Sequence, residues 1–419
     1  MVGTSPSDAT KPAVVVGAGL SGLCCALRLH EAGRPVLVFD RADRVGGRVV
    51  TDVVDGFRID RGFQVLLTSY PEVKARLDLD ALGVRAFRPG SAVRLPDRTC
   101  TISDPFREPW TALRALFTPL LSVGDALRAY RLRRRLLGRG PHAGRASDLL
   151  AASGISERLL DAFFRPFFRG VTLDPELSVP ADYFAYLFRM FAEGSATLPA
   201  EGMGAVCRQL AGGLPTGSVR LQTEVVAAAA DHVVLAGGRR VEADAVVVAT
   251  DGAAAAELIE HPAPTAHRAT TCVSYAVRGA PPMTARTLLL NGTGRGPVLH
   301  LSVPSVVQPS YAPPGAHLVS ATALGVHGPD IAAEVRAQLR AWFGPSVGAW
   351  EHLKTTVVAR ALPAIEGGAP ATRRSGALRL ASGVVACGDH LATPSIQGAM
   401  ASGRRAGELV LEGAGRAPT

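Results

Sequence analysis

The feature that most constrains this chain is Gly17-Ala18-Gly19-Leu20-Ser21-Gly22, a G-x-G-x-x-G turn between two hydrophobic patterns. Before it, Ala13 to Val16 is a short β-branched run that reads as a buried parallel strand. After it, Leu20, Leu23, Cys24, Leu27 and Ala32 recur at helical spacing until Gly33 stops the helix. Pro35 to Phe39 is a second apolar run, closed by Asp40 and Arg41, so the stretch is one βαβ unit. Gly17 permits the tight turn out of the strand. Gly19, with Leu20 and Ser21 behind it, lets the backbone approach a pyrophosphate at the positive end of the helix, and Gly22 allows close helix–strand packing. Asp40 stands where an acid accepts hydrogen bonds from a ribose. Glycine loops alone are common; the strand before, the helix after and the acid at the next strand's end make this a dinucleotide site.

No other stretch begins in this way, and 419 residues are long for one core, so two domains are expected. The pattern leaves the nucleotide domain and re-enters it. Residues 1–77 form its first segment, 78–214 a mainly helical part of a substrate domain, and 215–268 the nucleotide domain again. Residues 269–375 form a sheet segment of the substrate domain, and 376–419 return to the nucleotide domain. Strands are expected at Val219 to Val226, His232 to Leu235, Ala245 to Thr250, Cys272 to Val277 and Leu318 to Ala323. Helices are expected over Asp330 to Phe343 and from about Ser395 to Leu411. The fold class is α/β: a Rossmann-like dinucleotide-binding domain with an inserted α+β substrate domain.

Formal net charge is +9, carried almost wholly by arginine, since Lys11, Lys74 and Lys354 are the only lysines. No nucleic-acid-binding motif accompanies it, so no nucleic-acid partner is expected. The six cysteines show neither C-x-x-C nor metal spacing, so no metal site is expected and reduced thiols in a cytoplasmic protein are. Met1 to Lys11 is polar and reads as a loose tail, and no apolar run approaches the ~20 residues that span a bilayer. Trp110 to Leu137 alternates apolar residues with Arg114, Arg128, Arg131, Arg133, Arg134 and Arg135. Such a run is more commonly a solvated helix face, but a basic amphipathic helix also suits the surface of an anionic membrane.

Asp43-Arg44-Val45-Gly46-Gly47-Arg48 follows directly on Asp40. Together with the glycine turn it resembles the flavin-containing amine oxidoreductase superfamily, closest to its phytoene-desaturase-like and protoporphyrinogen-oxidase-like members. The resemblance implies that the nucleotide domain is a Rossmann-like FAD-binding domain of the two-dinucleotide-binding-domain flavoprotein type, with non-covalent FAD, Gly47 letting the backbone pass and Arg48 neutralising pyrophosphate. It implies that Gly62, Phe63 and Gln64, in Asp60-Arg61-Gly62-Phe63-Gln64, pass under the flavin ring, and that the Val225 backbone contacts the adenine. Gly388 and Asp389 would meet the ribityl or phosphate region. The helix opening at Ser395-Ile396-Gln397 would aim its N-terminus at the flavin, where reduced cofactor carries negative charge.

The chain departs from the amine-oxidase branch in two places. The lysine those enzymes hold near flavin N5 falls in Thr270 to Tyr275, which has threonine at that position, and their aromatic cage residue falls at Pro394-Ser395. No cysteine lies in residues 355–386, where covalent members carry theirs. Phe163-Phe-Arg-Pro-Phe-Phe-Arg-Gly-Val171 and Leu198-Pro-Ala-Glu-Gly-Met-Gly204 resemble segments of relatives that act on large apolar molecules, though both also read as ordinary packing. The expected function is an FAD-dependent desaturase or dehydrogenase. It would move a hydride from a bulky, largely apolar small molecule to flavin N5, with oxygen, a quinone or another acceptor reoxidising the flavin. An amine or amino-acid oxidase, a redox-neutral flavin isomerase and a non-catalytic flavin-binding protein are the alternatives. His390 and Glu366 are weak site candidates, no catalytic base is identifiable, and peripheral membrane contact and oligomeric state stay open.

Overall fold

The computed structural model describes residues 11–110, 113, 117–138, 140–259, 266–365 and 376–414. The candidate Glu366 and the tail before Lys11 lie outside them. The chain divides into two units: Met1–Val50, Val206–Thr265 and Arg373–Thr419 in the first, Thr51–Ala205 and Ala266–Thr372 in the second.

In the first unit, Ala13–Val16 is a central strand of a six-stranded sheet. The order is Val219–Arg220, Val36–Phe39, Ala13–Val16, Ala245–Val248, Val385–Cys387, Ala377–Arg379. All neighbours are parallel except the last pair. Val15 lies between Val38 and Val247, and every residue of its strand is buried, the unbroken apolar run a parallel strand needs when both faces are covered. One face is covered by a three-stranded antiparallel sheet, Val225–Ala228, His232–Leu235 and Arg240–Glu242, whose Val225, Val233 and Leu235 pack with Val14, Val246 and Val384. The single strand expected over residues 219–226 is two strands instead. Gln222 between them has φ +51°, and the two halves belong to different sheets. The closing helix Ile396–Ala414 lies along the helix Leu20–Glu31. A Cβ on Gly403 would stand 1.9 Å from the Ser21 carbonyl oxygen, so the helices meet backbone to backbone.

The second unit is built on a seven-stranded sheet ordered Glu351–Pro363, His267–Arg278, Ala316–Leu324, His300–Ser302, Leu288–Asn291, Gly90–Arg94, Thr99–Ser103. Helix Ile331–Phe343 covers one face, packing Ile331, Val335 and Leu339 against Val273, Tyr275, Val319 and Ala321. A helical group including Val123–Leu137, Arg165–Thr172 and Ala181–Glu193 forms a second core with Val93 and Leu290 of the sheet. Within the aromatic stretch, Phe164 and Phe168 are core residues, while Phe163 and Phe167 are partly buried and stacked 6.1 Å apart.

Two expectations shift. Residues 51–77 fall in the second unit, because Leu66–Leu67 pairs with Ala196–Leu198 there; a boundary at 77 missed a pairing 130 residues away in sequence. Residues 78–214 are less helical than expected, since Gly90–Arg94 and Thr99–Ser103 are a hairpin at the edge of the large sheet. The arginine-rich stretch is broken as well. Ser122 caps a new helix, accepting from the Asp125 N–H, three residues after Pro119.

Candidate functional site

In the first unit, backbone crowds the glycine turn at Gly17 and Gly22. Gly17 has φ +110°, and a Cβ there would meet the Ala249 carbonyl oxygen at 2.9 Å. A Cβ on Gly22 would stand 1.8 Å from the Gly17 carbonyl oxygen. The helix that follows has no side-chain cap at Gly19 and no acid in its first turn. Its N–H groups and dipole are therefore left to an anion. The Arg44 to Arg48 loop is sewn onto this turn: the Gly46 N–H donates to the Ala18 carbonyl at 2.9 Å, and Gly47, φ +60°, brings its absent Cβ within 3.5 Å of Gly19 Cα.

Asp40 accepts from the Ala18 N–H through Oδ2 at 2.7 Å and from the Ala42 N–H through Oδ1 at 2.8 Å. Each oxygen keeps a lone pair for a ribose hydroxyl. Arg41 points outward and pairs with Glu224 at 3.7 Å. Arg48 Nη2 donates to Asp389 Oδ1 at 2.6 Å, joining two predicted site residues 341 positions apart. Burial works against the Arg48 charge, but Asp389 outweighs it and raises the guanidinium above its ordinary pKa. Gly388 donates its N–H to Ser402 Oγ at 2.7 Å, and the His390 ring occupies the space a Gly388 Cβ would need. Ser395 Oγ accepts the Gly398 N–H at 3.0 Å and caps the closing helix, while Ile396 and Gln397 form its first turn. Val225 is buried at the start of its strand.

Sequence reasoning missed Asp251 here. It caps helix Gly252–Leu258, accepting from the Ala253 and Ala254 N–H groups, and its charge acts on Arg48. An acid directly after the strand expected over Ala245 to Thr250 was the available signal. In this unit the uncapped helix start, the Cβ-free turn and the Arg48–Asp389 pair fit the pyrophosphate and riboses of a dinucleotide.

In the second unit, Gly62 and Phe63 lie against the sheet face that helix Ile331–Phe343 leaves uncovered. A Cβ on Gly62 would be 3.6 Å from Thr270 Cγ2, and Phe63 packs edge-on against the His300 ring at 5.1 Å. Gln64 donates to the Arg61 carbonyl at 2.9 Å. Strand register places Thr356, Cys272, Thr322 and His300 in one row across this face. Cys272 Sγ is 3.5 Å from Thr322 Oγ1. Both His300 ring nitrogens are buried and have no hydrogen-bond partner among the described residues, and burial lowers its pKa to about 4. One of those nitrogens carries a proton in the neutral ring, so the site leaves a donor waiting for an acceptor. Nothing in Val298-Leu-His-Leu-Ser marks this histidine; its meaning comes from the sheet.

In the stretch expected to hold the lysine position, Thr270 Oγ1 donates to the Ala323 carbonyl at 3.0 Å and Thr271 Oγ1 to the Gly325 carbonyl at 2.9 Å, so both threonine hydroxyls already serve the sheet. Lys354 binds Asp52 at 2.6 Å, and Arg61 binds the same carboxylate through two nitrogens at 3.0 and 3.1 Å. Burial opposes ionisation of Asp52, yet these two cations prevail and lower its pKa to about 2.

Asp60 is the opposite case. Burial raises its pKa to about 6, although Thr51, the Tyr311 hydroxyl and the Met203 N–H all donate to it. The folded state thus holds this proton more tightly than the unfolded chain. Asp60's favourable contribution is complete below about pH 4 and is lost as pH rises through about 6. Asp60→Asn is expected to remove roughly 3 kcal/mol of that pH dependence, read by denaturant unfolding at stepped pH. An unchanged slope between about pH 4 and pH 6 would assign the effect to another group.

The family described as flavin containing amine oxidoreductase matches residues 20–411, and the chain belongs to it. Its members are FAD-dependent oxidoreductases, and FAD is the cofactor the family brings. Among curated relatives, putrescine oxidase of Kocuria rosea is 42% identical over 88 residues, 20% of this chain and 18% of that protein. A lycopene-forming phytoene desaturase of Pantoea ananas is 45% identical over 56 residues, 13% of this chain and 11% of that one. These matches span less than a fifth of the relatives' length. The solved structure of an oxidoreductase from Methanosarcina mazei shares the fold at a TM-score of 0.72 and 18% identity, covering 97% of this chain and all of that one. The expectations of family, flavoprotein fold and cofactor therefore hold.

Proposed function

We propose that the protein oxidises a bulky, largely apolar small molecule by desaturation, with non-covalently held FAD taking the hydride at N5. The observation that carries this reading is the Thr270–Thr271 pair. The stretch where the amine-oxidase branch keeps a lysine holds threonines whose hydroxyls are spent on the Ala323 and Gly325 carbonyls, and Lys354 is bound by Asp52. Likeness to a phytoene desaturase supports the same choice.

Gly17, Gly19, Leu20, Ser21 and Gly22 would receive the pyrophosphate, with Arg48 and Gly47 beside it. Asp40 would hold the adenosine ribose, with Arg41 and Val225 at the adenine end, and Gly388, Asp389, Ser395, Ile396 and Gln397 would hold the ribityl chain and ring edge. Gly62, Phe63 and Gln64 would back the ring. His300, which burial keeps neutral at pH 7, can donate or accept a hydrogen bond beside Phe63. Oxygen, a quinone or another acceptor would close the cycle. The six cysteines are buried and none forms a disulfide, which supports a reducing cytoplasmic setting. No helix among the described residues is long and apolar enough to cross a membrane, so contact with a lipid-dissolved substrate would be peripheral.

The test is anaerobic mixing of the flavin-loaded protein with candidate donors. Polyenes or porphyrinogens are expected to bleach the flavin, and di- and polyamines to leave it oxidised. Rapid bleaching by an amine alone would favour the putrescine-oxidase-like reading that the other relative suggests.

A further inference from the structure

Seven of the twelve large hydrophobic side chains exposed among the described residues lie between Phe106 and Tyr130, all in the second unit. Trp110 is 79% and Phe117 86% exposed. Helix Val123–Leu137 explains part of this. Asp125, Leu132 and Leu136 point inward, whereas Val123, Leu127 and Tyr130, at i, i+4 and i+7, form an apolar stripe on the outer side, continued by exposed Arg134. Phe106 stacks on Tyr130 at 6.1 Å, and Arg133 sits over the Phe106 ring at 4.1 Å, which ties the Phe106 segment to this helix. A solvated helix face would be polar here; this one is apolar and flanked by arginine.

The three acids of the region face inward or are paired. Asp125 is buried on Ser122 and Ser156, Glu108 binds Arg88, and Asp104 lies 4.0 Å from Arg133. Beside Phe106, Arg107 and Glu108 line an open pocket of about 540 Å³ together with Arg85, Arg88 and Arg286. Arg88 is neutralised by Glu108 through two hydrogen bonds, and Arg107 holds the Gly194 carbonyl and Ser195 Oγ. Arg85 and Arg286 have no ion-pair partner among the described residues. The pocket therefore presents uncompensated guanidinium groups next to an apolar surface.

We propose that this face docks the protein on an anionic lipid bilayer, with Trp110, Phe117 and the Val123–Leu127–Tyr130 stripe entering the interface and the arginine pocket taking a lipid phosphate. Aromatic side chains favour the headgroup level, amphipathic helices bury an apolar side there, and guanidinium matches phosphate. A protein partner would not need the excess of unpaired arginine around the stripe; a surface of lipid phosphates does. The proposal names the peripheral contact suggested under the functional reading, and it rests on that reading only for its purpose.

The test uses the flavin-loaded full chain and vesicles of equimolar phosphatidylcholine and phosphatidylglycerol, with pure phosphatidylcholine vesicles as the comparison. The protein is expected to sediment with the anionic vesicles, to bind the neutral ones at least about tenfold more weakly, and to release as salt is raised. Trp emission should shift to the blue on binding, and Trp110→Phe should lose that shift, since Trp350 is buried and Trp342 half-buried. Trp110→Ser with Phe117→Ser should weaken vesicle binding at least about tenfold, leaving flavin content and melting temperature unchanged. Arg85→Glu with Arg286→Glu should abolish the preference for phosphatidylglycerol. No binding to anionic vesicles overturns the proposal. So does binding that the serine pair leaves intact, or a dimer without vesicle binding that the serine pair dissociates. Vesicle binding is read without substrate: if it fails while apolar donors still bleach the flavin, docking falls and the functional reading stands.

Discussion

Gly22→Ala is expected to cost the protein its flavin. The new methyl carbon would stand 1.8 Å from the Gly17 carbonyl oxygen, and that oxygen belongs to the backbone of the turn itself. The collision is relieved only by lifting helix Leu20–Glu31 from strand Ala13–Val16, which displaces the N–H groups offered to the pyrophosphate. Overpacking of this kind costs about 3 kcal/mol. Because it falls on the anion site, FAD affinity should drop at least roughly a hundredfold. Flavin absorbance of the purified variant and a titration with added FAD check this. Gly212→Ala, where a Cβ meets nothing within 4 Å, is the matching control and should keep its flavin. Equal flavin content in both variants would remove the turn from the cofactor site.

Arg48→Met is the second large effect, and it has two parts. Asp389 is buried, and its Arg48 partner is about one-third exposed, so removing the guanidinium strands a carboxylate away from water. A loss of about 3 kcal/mol of stability in the flavin-free protein is expected. Arg48→Met combined with Asp389→Asn should restore most of that stability, because no buried charge is then left alone. FAD binding should stay weak in the pair, since the positive charge beside the pyrophosphate is still missing. Recovery of both stability and flavin affinity in the double variant would make the pair structural only.

The legible and illegible parts of this protein divide along physical lines. The turn at Gly17, Gly19 and Gly22 could be read because its demands are local: a strand, a positive φ and a helix start need glycine at fixed spacing. Arg48 and Asp389 were each legible by resemblance, but their contact at 2.6 Å bridges 341 positions and has no trace in local pattern. The unit boundary at Val50 was misread because Leu66–Leu67 looks like any short apolar run until Ala196–Leu198 pairs with it. His300 was passed over for the same reason, since burial and lack of a partner arise only when four strands bring Thr356, Cys272, Thr322 and His300 into one row. The arginine-rich run held a real amphipathic helix, but Pro119 and the Ser122 cap divide it, and its outer side is less polar than a charge count implies.

The most direct measurement of the central claim extends the anaerobic donor experiment to its product. One equivalent of an apolar, unsaturated donor that bleaches the flavin is recovered after a single turnover and weighed by mass spectrometry. A product lighter by two hydrogen atoms, formed in step with flavin reduction, is the expected result. A product of unchanged mass with the flavin again oxidised, or reduction confined to amines, would contradict it.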